Sequence, residues 1–307
     1  MSLIDQLFER AKSVQSHALV GLDPLLDKLP SRFQGKGLSG AAQGLLAFNF
    51  EILDAVHDLI PAVKLQMACY ELYGAEGIIV FEKTIRRAKE LGLFVIDDSK
   101  RGDIGSTALL YAQARIGRSP LRGEPAPCQP ADFVTVNPYF GDDGLSPFYQ
   151  TALAEDKGVF VLVRTSNPSS AQYQRAVING MPLFEQIALD LQAEAVQHQG
   201  NCGYAPFGAV VGATWPEEAV RLRELMPNVP FLVPGYGTQG GQGKDVVPCF
   251  DAQGSGALIN SSRGVLFAYQ SVGADESQFA ACARQAVKDM NDDINSALKH
   301  AGKTGAC

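Results

Sequence analysis

The sequence predicts an α/β chain folded as a single-domain (β/α)8 TIM barrel. Three observations carry that expectation. The chain has 307 residues, which suits a barrel of roughly 250 residues with insertions. Short β-branched or apolar runs alternate with amphipathic stretches, as in a parallel sheet crossed over by helices. Polar residues stand where those runs end, and the C-terminal strand ends are where such barrels keep their chemistry.

The elements follow in order. The opening MSLIDQLFERAKSVQ puts Leu3, Ile4, Leu7, Phe8 and Ala11 on one helical face. It reads as an amphipathic surface helix, because charges interrupt any signal-like apolar run. Strand-like runs lie at 17–22, 62–66, 93–98, 132–137, 159–164, 208–212, 230–233 and 257–260, about the eight that a barrel needs. Helical patterns fall between them, among them 71–91, 181–198, 217–225 and 264–270. The stretch 117–130, GRSPLRGEPAPCQP, is rich in Pro and Gly and aperiodic, so it reads as an inserted surface loop. A C-terminal amphipathic helix is expected over 278–298.

Composition excludes several classes of function. Hydrophobic residues make up 46% and charged residues 19%, enough apolar material for a large core and too much for a disordered chain. No apolar run approaches the ~18 residues of a membrane span. A net charge of −7 argues against nucleic acid or an anionic membrane as partner, while a few local cations still suffice for a small anionic substrate. The six Cys form no C-x-x-C pair, so a cytoplasmic chain with reduced thiols is expected. His17, His57, His198 and His300 are scattered without partner spacing, and no metal site is expected.

The most informative stretch is FVIDDSKRGDIGSTA, 94–108. Alternation points Asp98 and Lys100 one way, and Asp97 and Ser99 the other. Lys64 ends an earlier apolar strand, and Asp103 follows Lys100 by three residues. Interleaved carboxylates and ammoniums neutralise one another and keep a buried lysine protonated. They could serve as a structural plug of the barrel mouth or as a working site, and perturbed charges in a cleft favour the second. PGYGTQGGQGKD, 234–245, lacks both the P-loop and the dinucleotide fingerprint. It suits presenting backbone N–H groups to an anion or closing over a ligand. INSSRG, 259–264, places Ser261, Ser262 and Arg263 at a helix start. That is either an ordinary N-cap or, beside the glycine loop, a phosphate cradle in which Arg263 supplies a bidentate contact. Arg101 should point away from Lys100, Trp215 reads as packing, and Cys69 as a small buried residue.

These residues resemble those of a known family. Asp98-Ser99-Lys100-Arg101-Gly102-Asp103, followed by Ile104 and Thr107, is similar to the D-x-K-x-x-D signature of orotidine 5′-monophosphate decarboxylases. VGLDP (20–24), AVKLQ (62–66), VRTSNPSS (163–170), PGYGTQGG (234–241) and NSSRG (260–264) resemble further family motifs in the same order. VTVNPYFG (134–141) resembles the longer-chain branch, and its Asn137 region differs from the shorter one.

The resemblance implies decarboxylation of orotidine 5′-monophosphate to UMP and CO2, the last step of de novo UMP synthesis, without cofactor or metal. It implies a charged tetrad of Lys64, Asp98, Lys100 and Asp103, with Lys100 protonating C6 of the pyrimidine. Asp23, Lys64 and Thr107 would hold ribose hydroxyls, Ser166 the ring edge, and Arg263 the 5′-phosphate. Gln239 would bridge ring and phosphate, and Ile104 would line the pocket near the departing carboxylate. A homodimer is implied, with Asp103 and Thr107 shared across its interface. Two other readings of the same residues stay open: a sugar-phosphate lyase or aldolase using a lysine Schiff base, and a catalytically silent nucleotide-binding barrel.

Overall fold

The computed structural model describes residues 1–127, 131–237 and 241–303. Eight parallel strands close into a barrel: β1 Ala18–Gly21, β2 Ala62–Gln66, β3 Phe94–Arg101, β4 Phe133–Val136, β5 Gly158–Arg164, β6 Phe207–Val211, β7 Phe231–Pro234 and β8 Ala257–Ser261. Each pairs with its neighbours in sequence, and β1 closes on β8 from Ala18↔Ile259 to Val20↔Ser261. The longer helices are α1 Leu3–Ser13, α2 Gly37–Val56, α3 Gly74–Glu90, α4 Gly105–Ile116, α5 Asp142–Glu155, α6 Leu183–Ala195, α7 Pro216–Leu225 and α8 Phe279–His300. Helices α2 to α7 fill the crossovers from β1 through β7, and α8 follows β8. Among the described residues no helix is long and apolar enough to cross a membrane.

The period-2 geometry of the strands creates two separate apolar layers. Outward residues such as Val20, Val63, Val95, Val134, Val161 and Ile259 pack under the helices with Phe48, Phe81, Phe148 and Phe279. Inward residues Leu19, Ala62, Ile96, Phe133, Phe160, Val210, Leu232 and Leu258 fill the barrel. The apolar face of α1 joins this inner layer through Leu3, Ile4, Leu7 and Phe8. The amphipathic pattern was expected to mark a surface helix; its buried face instead closes the N-terminal end of the barrel. Phe133 and Phe160 meet at 5.2 Å inside it. A Cβ at Gly208 would come within 2.3 Å of Phe160, so the strand glycine makes room for the ring that fills the space.

Local chemistry explains where the elements depart from the sequence expectation. The pattern at 71–91 divides at its start: a short helical turn, Ala68–Glu71, ends there, and α3 opens on Gly74 at φ +59. The helical pattern at 181–198 begins only at Leu183, because Val177–Ile178 and Met181–Pro182 form a small hairpin before it. In the 117–130 insertion, Arg118–Ser119 pairs antiparallel with Ala126–Pro127, and 128–130 lie outside the described residues.

His17 illustrates what burial does to a titrating side chain here. It is 3% exposed and lies edge-on to Phe250 at 5.0 Å. Burial pushes its pKa down to about 4, against a weaker upward pull from Asp251. A histidine held neutral in the native state contributes stability that is complete above the unfolded pKa and is lost as pH falls toward the folded one. Asp97 titrates in the same window with the opposite sign, since burial raises it to about 6 despite Arg115. Comparison with His17→Gln cancels Asp97. The unfolding free energy of the native protein minus that of His17→Gln should fall by roughly 3 kcal/mol between pH 7 and pH 4. A difference that stays flat across that range would refute the assignment.

Candidate active site

At the C-terminal end of the barrel, inward side chains turn from apolar to charged. Lys64 of β2, Asp98 of β3, Leu162 of β5, Val210 of β6, Leu232 of β7 and Asn260 of β8 bound a cavity of about 540 Å³. Loops after β1, β5, β7 and β8 complete the wall with Asp23, Thr165, Ser166, Tyr236, Ser262 and Arg263. Lys64 Nζ donates to Asp23 Oδ1 at 3.2 Å and to Asp98 Oδ2 at 2.9 Å. Lys100 Nζ donates to Asp98 Oδ1 at 2.6 Å. Two ammoniums and two carboxylates thus balance, with Asp23 in the place that the sequence spacing assigns to Asp103.

Backbone geometry aims this array. Lys100 has φ 49, in the left-handed region that costs a lysine about 1 kcal/mol or more. It lies in the bulge where β3 slips register against β4, between Asp97 and Arg101. Thr135 Oγ1 holds the turn by accepting from the Lys100 N–H at 2.9 Å, and donates its own proton to Asp98 Oδ1 at 3.0 Å. Simple alternation leads to the same facing for Asp98 and Lys100, although a bulge is what produces it. Gln66 Nε2 adds a further donor to Asp98 Oδ2 at 3.2 Å.

The electrostatics follow from burial and partners. Burial opposes the Asp98 charge, yet Lys64 and Lys100 outweigh it and hold the carboxyl well below the usual carboxylate range. Burial likewise opposes the Lys64 ammonium, and Asp23 with Asp98 keeps it charged to well above the ordinary lysine range. Asp97 faces outward, fully buried, with Arg115 at 3.4 Å. Arg101 pairs with Glu71 at 2.7 Å, away from the cavity. Cys69 is half-buried, packed against the core on one side and reaching the cavity wall on the other. Burial first, then Asp23, pushes its thiol up to about 11, so it stays protonated and a poor nucleophile.

Ser166 reaches the wall because its loop is anchored from below. Arg164 is fully buried, ion-paired with Glu218 and stacked on Trp215 at 4.6 Å. It is a structural anchor and not a candidate ligand, although it stands at a strand end. Trp215 Nε1 donates to the Thr165 carbonyl at 3.1 Å, and Gly212, whose Cβ would come within 2.9 Å of Ser166, permits the approach.

The remaining expected site residues fall elsewhere. Gln239 lies outside the described residues. Asp103, Ile104 and Thr107 do not line the cavity of their own chain. Ile104 is 54% exposed, Thr107 is exposed, and the Asp103 carboxylate accepts from the Ile104 N–H at 2.8 Å. Leu110, Tyr139 and Phe140 are also exposed large apolar residues of α4 and of the loop after β4. Gln66 and Thr135 were not singled out in the sequence. The signal was available, since each is a polar residue at an inward position of its strand, Gln66 two residues beyond Lys64 and Thr135 two beyond Phe133. Among the described residues, no cluster of three or more His, Cys, Asp or Glu is arranged to hold a metal ion.

The family model for orotidine 5′-phosphate decarboxylase / HUMPS proteins matches residues 43–276. The chain belongs to this family. Its similarity to the orotidine 5′-phosphate decarboxylase of Petrotoga mobilis is 42% identity over 296 residues, covering 96% of this chain and 98% of that one. For the Rhodopirellula baltica decarboxylase the identity is 40% over 303 residues, covering 96% and 99%. The structure superimposes on Leishmania donovani OMP decarboxylase with a TM-score of 0.74 at 32% identity, covering 97% of this chain and 98% of that one. It also matches Leishmania donovani UMP synthase with a TM-score of 0.74 at 33% identity, covering 96% of this chain but only 56% of that longer protein. Within the decarboxylase family match lie Lys64, Asp98, Lys100, Ser166 and Arg263; Asp23 precedes it.

Proposed function

We infer that this chain decarboxylates orotidine 5′-monophosphate to UMP and CO2. The observation that carries the reading is the Lys64–Asp98–Lys100 array on the cavity floor of a decarboxylase-family barrel. Losing CO2 from C6 leaves an electron pair in the plane of the pyrimidine ring, where no ring carbonyl can delocalise it. A fixed ammonium is what such a carbanion needs. Lys100 stabilises the developing charge and then transfers a proton to C6, after which its amine is reprotonated from solvent. Asp98, held ionised by its two lysines, opposes the substrate carboxylate and favours its departure. Asp23 and Lys64 take ribose hydroxyls, Ser166 the ring edge, and Arg263 the 5′-phosphate.

Asp103, Thr107 and Ile104 act in the proposal from across a homodimer interface. Their position outside their own cavity, beside exposed Leu110, Tyr139 and Phe140, supports a second copy of the chain docking there. The enzyme is cytoplasmic in this reading, in keeping with the free thiols of Cys69, Cys202, Cys249 and Cys282.

The test is a spectrophotometric assay of orotidine 5′-monophosphate turnover with and without EDTA, run on the native protein and on Arg263→Ala. Turnover should be rapid and indifferent to EDTA. Arg263→Ala should lose roughly 2–4 kcal/mol of transition-state stabilisation on the phosphorylated substrate and little on orotidine itself. Tight UMP binding without turnover would instead establish a silent nucleotide-binding barrel. Equal losses on both substrates would make Arg263 structural.

A further inference from the structure

Next to Arg263 lies a polar chain that the decarboxylation reading leaves unused. Ser262 Oγ donates to Asp23 Oδ2 at 2.6 Å, and Asn260 Nδ2 donates to Ser262 Oγ at 3.3 Å. Proton counting settles its direction. Asp23 also accepts from the Lys64 ammonium and from the Gln66 N–H, and an ionised carboxylate only accepts. The single Ser262 proton therefore goes to Asp23, and its free lone pair must face a donor. Asn260 then has to turn its NH2 to the serine, which leaves Asn260 Oδ1 pointing elsewhere. That oxygen is buried without a hydrogen-bond partner, in a residue 6% exposed.

Two features show that the barrel is shaped around this chain. A Cβ at Gly21 would fall 1.9 Å from Ser262 Oγ and 3.0 Å from Asn260 Oδ1, so the glycine of the VGLDP stretch clears the space for the hydroxyl. Ser262 stands at the N-cap of the short turn Arg263–Leu266, yet its side chain makes no cap hydrogen bond. The hydroxyl gives up its usual backbone partner for Asp23. An orphaned amide oxygen is a stability cost, and an apolar side chain of similar size would remove it.

We propose that Ser262 and Asn260 are positioning residues that aim Asp23 at the substrate's ribose: Asn260 fixes the Ser262 hydroxyl, and Ser262 fixes one carboxylate oxygen while Lys64 fixes the other. The inference rests on the ribose-binding role of Asp23 proposed above. Neither residue touches the reacting carbon; both act through the carboxylate. Arg263 follows directly in sequence, so the same turn ties ribose orientation to phosphate binding.

The experiment compares kcat/KM for orotidine 5′-monophosphate and its 2′-deoxy and 3′-deoxy counterparts in native protein, Asp23→Asn, Ser262→Ala and Asn260→Leu, with thermal unfolding of each variant. Asp23→Asn identifies the hydroxyl that Asp23 holds: its loss should vanish on the analogue lacking that group. Ser262→Ala should lose about 10- to 100-fold on the ribonucleotide, the value of a charge-assisted hydrogen bond, and less than about 2-fold on that same analogue. Asn260→Leu should follow the same pattern more weakly while unfolding at the native temperature or above it. A merely structural Asn260 would lower stability and reduce activity equally on all substrates. If Asp23→Asn discriminates between the substrates and neither Ser262→Ala nor Asn260→Leu does, the inference is overturned alone. If Asp23→Asn itself loses equally on all three, the ribose reading of Asp23 falls and takes the inference with it.

Discussion

Lys100→Ala should abolish decarboxylation while leaving UMP binding measurable. Lys100 Nζ lies 2.6 Å from Asp98 with its side chain 41% exposed, so it is the more open of the two ammoniums on the cavity wall, whereas Lys64 is almost fully buried between Asp23 and Asp98. Its removal withdraws two effects at once: charge stabilisation at C6, worth about 10²–10³ by analogy with a lost oxyanion donor, and proton delivery, worth about 10²–10⁴. A fall of at least about 10⁴-fold in kcat is expected. The fold should survive, because alanine meets the same left-handed backbone at position 100 and leaves Asp98 its bonds to Lys64, Thr135 and Gln66. Single-turnover kinetics with calorimetric UMP titration measure both sides. Near-normal turnover in the folded variant would end the proposed role of Lys100.

Mixing two inactive variants should restore activity. Lys100→Ala and Asp103→Asn subunits, allowed to exchange, form hybrid dimers in which one site carries both lesions and the other carries neither. Random pairing makes half of the dimers hybrid, so about a quarter of all sites recover. The motive is geometric: Asp103 lies outside the cavity of its own chain, on the segment that also exposes Ile104. If Asp103 served its own chain, every site would keep one lesion and the mixture would stay dead. Subunit exchange is monitored independently with two affinity tags, so a silent mixture of exchanged dimers refutes the shared site.

Much of the site was legible in the sequence because strand alternation is a strong geometric rule. Lys64 and Asp98 follow from counting along apolar runs, Arg263 from its place at a helix start beside the glycine loop, and all three reach the cavity. Counting fails where the backbone departs from regular geometry or where the partner is distant in sequence. Arg164 stands at a strand end like the others, yet it turns to Glu218, 54 residues away. The Ser262 hydroxyl looks like a helix cap and is committed to Asp23, 239 residues away. Long-range pairs of this kind have no local pattern.

What the amino-acid sequence determined by itself is the alternation of eight strands with helices, the polarity switch at the strand ends, and three members of the charged array, Lys64, Asp98 and Lys100. The fourth, Asp23 in place of Asp103, is set by the fold. Periodicity and propensity are local properties, and the barrel order follows from them once parallel strands must be joined by crossovers. Tertiary structure alone decided that α1 plugs the barrel floor, that a bulge at Lys100 aims its ammonium, and that Asp103, Ile104 and Thr107 do not line the cavity of their own chain. Each of those outcomes is set by which surfaces meet when the sheet closes. Closure brings together residues that no spacing along the chain relates.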